Sequence, residues 1–119
     1  MGLDQYAYTK KGKKQIDLQY WRKHNALQGW MQKLWEDKGF PHRNENDPTF
    51  NCVELNLTSE DIDKLEGDTL ASNLPQTSGF FFGDDSSKNE YKKEQTILFI
   101  SAARQAIKDG EKVFYNSSW

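Results

Sequence analysis

Apolar residues fall along this chain in two rhythms, one of period two and one of period three to four. Leu3 to Thr9 (LDQYAYT) puts Tyr6 and Tyr8 on one face, as a strand does. A polar, basic loop is expected next. Leu27, Trp30, Met31, Leu34 and Trp35 then recur at i, i+3, i+4, i+7 and i+8, the stripe of an amphipathic helix. That pattern predicts a helix from Trp21 to Lys38, stopped by Gly39 and Pro41. His42 to Asp47 is polar and reads as a loop.

Phe50 to Leu57 (FNCVELNL) alternates again, with Val53, Leu55 and Leu57 on one side, and predicts a half-buried strand. Thr58 followed by Asp61 is a helix-start signal, with Leu57 and Ile62 placed as a hydrophobic staple. A short helix from Ser59 to Ala71 is expected, weakened in its middle by Gly67. Pro75 keeps Leu74 extended, which ends that helix and aims LPQTSGFFFG, Leu74 to Gly83, into the sheet. Phe80, Phe81 and Phe82 in a row point to both faces of a strand, so both faces meet apolar partners. Asp84 to Lys88 is a polar turn. A long helix follows from Asn89 to Asp109, whose apolar face holds Tyr91, Leu98, Phe99, Ala102, Ala103, Ala106 and Ile107. Gly110 stops it, and Lys112 to Trp119 (KVFYNSSW) is a closing strand.

The expected fold is α+β: a small sheet of about four strands, two long helices and one short helix, in a single domain over residues 1–119. Composition adds limits. Four Trp, five Tyr and seven Phe supply a core of few but large groups despite the polar average. The net charge of −2 gives no global pull toward nucleic acid. Lys10, Lys11, Lys13 and Lys14 are a local exception. They read first as a solvated loop and second as a phosphate or membrane-headgroup contact. Cys52 is the single cysteine, expected to be inert in its strand, so no internal disulfide or Cys-rich zinc site can form. No run approaches the ~20 apolar residues of a membrane span, and the amino-terminal stretch carries no apolar signal core, which points to the cytosol.

MGLDQYAY, YWRKHNALQGWM, NCVELNL, LPQTSGFFFG and KVFYNSSW together resemble a family of small uncharacterised proteins of tailed bacteriophages, including cyanophages and other marine phages. The similarity runs through the whole chain. It implies expression in the cytoplasm of an infected bacterial host and supplies no catalytic residues to carry over. Similar phage proteins are sometimes labelled phosphoglycerate kinase. This sequence does not support such an activity. One small domain cannot form two closing lobes, and the chain has no GxxxxGK[ST] phosphate cradle.

Three functional readings remain. The first is a non-catalytic accessory protein that binds a host protein through an aromatic surface near Trp21, Trp119 and the first helix. The second is a binder of an anionic metabolite or nucleotide, with Arg22, Lys23, His24 and Asn25 at a helix start and Thr77 and Ser78 beside them. The bland counterpart is a core-edge histidine with solvated cations around it. The third is a small enzyme with His24 as acid–base catalyst, oriented by one of Asp4, Asp17, Glu54, Asp84 or Asp85. No cofactor is implied. His24 and His42 are the only histidines and lie far apart, and no HExxH or CxxC spacing exists, so no metal is expected.

Overall fold

The computed structural model describes residues 3–43, 45, 49–71 and 89–118. Strands β1 (Asp4–Lys11) and β2 (Lys14–Arg22) form a hairpin, followed by helix α1 (Asn25–Asp37), strand β3 (Leu55–Leu57), helix α2 (Ser59–Leu70), helix α3 (Asn89–Lys108) and strand β4 (Lys112–Ser118). The sheet is antiparallel throughout, in the order β2-β1-β4-β3. This is the expected α+β class. The expected strand at LPQTSGFFFG and the polar turn after it lie outside the described residues.

The basic loop expected after Thr9 is instead the tip of the hairpin, and its second strand was not anticipated. Lys11 pairs with Lys14 across a two-residue turn, Gly12-Lys13. Gly12 has φ +64 and Lys13 has negative φ, the pattern of a type II′ turn, whose first central position favours glycine. Ala7 faces Gln19 but Tyr8 faces Asp17, so Leu18 is an extra residue in β2, a bulge. The bulge turns Leu18 toward the core and leaves Ile16 exposed. Alternation at Ile16, Leu18 and Tyr20 is visible in the sequence. It is diluted by the charged and amide residues of an edge strand.

Helix α1 starts four residues later than its periodicity suggests. Trp21 still belongs to β2, opposite Gln5, Arg22 closes the strand, and Lys23 turns the chain at φ +54. His24 is the N-cap residue. The Gln5 side chain holds this turn by accepting from the His24 backbone N–H at 2.8 Å and donating to the His24 carbonyl at 3.1 Å. The far end stops at Gly39 as expected. Gly39 N–H donates to Glu36 O and Phe40 N–H to Trp35 O, the paired bonds of a Schellman motif. Gly110 ends α3 in the same way: Gly110 N–H donates to Ile107 O and Glu111 N–H to Ala106 O. Helix α2 begins with a complete capping box: Asp61 N–H donates to Thr58 Oγ1, and Thr58 N–H donates to Asp61 Oδ2.

Inward-facing Ala7, Trp21, Val113, Tyr115, Leu55 and Leu57 meet Leu27, Met31, Trp35, Ile62, Leu65, Phe99, Ile100 and Ala103 in one core. All three helices therefore lie on one side of the sheet. The strand predicted over Phe50 to Leu57 shortens to its last three residues. Phe50 and Val53 still enter the core. Cys52, at φ +59, is tied to β4 by its N–H to Ser117 O at 2.7 Å. Its thiol is exposed rather than buried in a strand. In α3 the buried stripe is Thr96, Phe99, Ile100, Ala103 and Ala106, and Leu98 is 65% exposed, outside the face assigned to it.

Candidate functional site

The side of the sheet away from the helices is built from the alternate residues of the same strands. Cross-strand pairing fixes it in rows: Arg22–Asp4–Ser118, Tyr20–Tyr6–Asn116, Asp17–Tyr8–Phe114–Asn56, and Gln15–Lys10–Lys112. Directly opposed residues share a face, so four aromatic rings gather on this outer surface.

Its two halves differ. Toward β3, Tyr8 stacks on Phe114 with ring centroids 5.8 Å apart. Lys10 lies across both rings, its Nζ 4.9 Å from the Phe114 centroid, and ends on Glu54 at 2.7 Å. The Tyr8 hydroxyl also donates to Glu54, at 2.6 Å. Tyr8 is left only 4% exposed. Burial first, and then this hydrogen bond, push the Tyr8 phenol well above its ordinary range. Burial alone would raise the Glu54 carboxyl. The hydrogen bonds from Lys10 and Tyr8 outweigh that and hold it below the usual carboxylate value.

Toward β2, Tyr6 and Tyr20 sit side by side, centroids 5.4 Å apart and rings tilted by 50°. They are 41% and 43% exposed. Tyr20 donates to Asp4 Oδ1 at 2.6 Å, and that bond raises the Tyr20 phenol. Arg22 reaches Asp4 only at 3.9 Å, with about two thirds of its side chain open to solvent. Among the described residues no element crosses this half.

The residues singled out from the sequence do not form one site. Trp21, assigned to a partner surface, is fully buried: its Nε1 donates to Thr96 Oγ1 at 3.2 Å and its ring meets Phe99 edge-on at 5.2 Å. A tryptophan at the inner end of β2 has the core as its only large apolar neighbour, so this assignment is corrected. Trp119 lies outside the described residues, as do Thr77 and Ser78. Arg22 and Lys23 are exposed, whereas His24 and Asn25 are buried. The strand-to-helix turn sends the four to different environments, where a continuous helix would have kept them in one patch.

His24 precedes α1 and is not part of its apolar stripe. Of the carboxylates proposed to orient it, Asp4 and Glu54 are hydrogen-bonded to tyrosines of the outer face, and Asp17 accepts from Gln15. Asp84 and Asp85 lie outside the described residues. What surrounds His24 is a buried amide–phenol network. Gln5 Nε2 donates to the Tyr115 hydroxyl at 2.9 Å, and that hydroxyl donates to Gln28 Oε1. Burial drives the Tyr115 phenol far above its ordinary range, which fixes it as a neutral donor. This network ties β1, β4 and α1 together, and its chemistry is positional.

Among the described residues no group of three or more His, Cys, Asp or Glu could hold a metal ion, and no helix is long and apolar enough to cross a membrane. No family model, curated protein or solved structure matches the chain.

Proposed function

We propose that this chain is a non-catalytic binding protein that receives a protein partner on the open half of its outer sheet face. Tyr6 and Tyr20 are the anchors, and Arg22 and Asp4 form the polar rim. The observation that carries the reading is the exposed tyrosine pair, held across the hydrogen-bonded β1–β2 ladder at the edge of the sheet and uncovered by any described element. Tyrosine and arginine concentrate binding energy at interfaces, because a rigid ring buries much apolar area at little entropic cost. Sheet hydrogen bonds hold the pair's backbone in place, so binding has little ordering to pay for.

Taken with the phage resemblance, the partner is a host protein in the cytoplasm of the infected bacterium. The test is capture from host extract by the wild-type chain and by the Tyr6→Ala/Tyr20→Ala double variant, with circular dichroism as the fold control. A specific host protein held by the wild type and lost by the folded double variant is the expected result. Capture that ignores both substitutions would remove the face from consideration.

A further inference from the structure

The β1–β2 hairpin carries four lysines in five positions, Lys10, Lys11, Lys13 and Lys14, in a chain whose overall charge is −2. The paired strands fix where these charges stand. Lys11 faces Lys14 across the turn, and Lys10 faces Lys112 across β1 and β4. Directly opposed like charges destabilise a ladder, and opposite signs there would serve the hairpin better. Lys10 is neutralised by Glu54. Lys11, Lys13, Lys14 and Lys112 make no ion pair among the described residues, and all four are exposed. Successive side chains on a strand point to opposite faces, so Lys112 stands on the outer side and Lys11 and Lys14 on the other, with Lys13 at the turn. The tip is thus flanked by cations on both sides, and the hairpin segment from Lys10 to Gln15 carries no acid.

We infer that the tip of the β1–β2 hairpin binds the phosphate backbone of a nucleic acid through Lys11, Lys13, Lys14 and Lys112. A polyanion converts the mutual repulsion of these lysines into attraction and releases its own counterions. Net charge is a poor guide here because screening limits each charge to its neighbourhood, about 10 Å at ordinary salt. On the outer face the Tyr6–Tyr20 row lies four residues down the strand from the Lys10–Lys112 row, about 13 Å away. The inference rests on the lysines alone and stands apart from the partner face.

The test is fluorescence anisotropy of the full chain with labelled oligonucleotides of about 20 thymidines, and with a duplex of the same length, at about 50 and 200 mM salt. Three to four phosphate contacts predict binding that weakens roughly 20- to 150-fold between those salts. The Lys11→Glu/Lys13→Glu/Lys14→Glu variant is expected to lose it. The Lys→Gln triple, which introduces no new charge, is expected to lose most of it, and the Lys→Arg triple to keep it. Circular dichroism checks each fold. The two oligonucleotides distinguish single strand from duplex as the source of phosphate. Absence of binding to both at the lower salt would overturn the inference, as would binding that the folded glutamate or glutamine triple retains. Poly-glutamate or anionic vesicles binding as tightly as the oligonucleotides would overturn it too, by assigning the tip to an acidic protein or a lipid surface.

Discussion

Tyr8 and Tyr6 are two residues apart on one strand and point the same way, yet one is structural and the other is presented. The difference lies across the sheet. Tyr8 has Phe114 beside it, Lys10 above it and Glu54 at its hydroxyl, so ring, cation and carboxylate close over one another. Tyr6 has Tyr20 on one side and Asn116 on the other, and none of the described elements is laid over the pair. A strand near the middle of a sheet can stabilise with one residue and recognise with the next on the same face. Strand order decides which does which.

The largest expected effect separates the two rings directly. Tyr8→Ala removes a nearly buried ring and leaves Glu54 with one hydrogen bond fewer. It is expected to cost about 3 kcal/mol. Tyr6→Ala removes a ring already half in water and is expected to cost about 1 kcal/mol or less. Denaturant midpoints of the two variants, measured with unchanged m-values, give the comparison. Equal losses would mean that the open half is as structural as the closed one.

The period-two pattern of Leu3 to Thr9 already puts Tyr6 and Tyr8 on one face, but their unequal fates follow from Phe114, Glu54 and Lys10, residues brought together only by pairing of β1 with β4 and β3. Elements whose signals are local were legible: the α1 stripe from Leu27 to Trp35, the Thr58–Asp61 capping box, and the glycine stops at Gly39 and Gly110. The β2 strand was not, because its edge position fills it with Lys, Gln and Asp, which dilute the alternation at Ile16, Leu18 and Tyr20. Losing β2 moved Trp21 onto a helix, and from there to a surface it does not occupy. The helix predicted from Trp21 took in His24 for the same reason, whereas His24 is its N-cap residue. The exposed pair was half legible: the alternation marks Tyr6, but its neighbour Tyr20 is known only once β2 is paired with β1.

Acid sharpens the comparison next. The Glu54 carboxyl sits below its ordinary value of 4.5 in the folded chain, so the unfolded chain binds more protons as pH falls through that range. Its contribution is therefore complete above about 4.5 and is lost as pH drops through the folded pKa. Asp61 behaves alike from its ordinary value of 3.8: burial pulls it up, while Lys38 and the Thr58 N–H pull it further down. Stability measured from pH 7 to pH 3 is expected to fall at the acid end in the wild type. In Glu54→Gln it should fall less steeply, with the Asp61 portion retained. An identical acid limb in the variant would show that the closed half takes no part in the pH response.

The smallest effect belongs to the rim of the open half. Arg22 and Asp4 are 3.9 Å apart, at the edge of contact, with Arg22 exposed and Asp4 partly so, and Asp4 is already bonded by the Tyr20 hydroxyl. A pair of this kind gains little Coulomb energy and loses side-chain entropy. Arg22→Ala is expected to change stability by less than about 0.5 kcal/mol. The residue is therefore free to serve recognition, and the same substitution should weaken partner binding without moving the denaturation midpoint. Binding and stability lost together would put Arg22 on the structural side of the division and shrink the open half to its two tyrosines. Binding lost alone would extend the recognition surface along β2 to the turn at Lys23, the corner where strand gives way to helix.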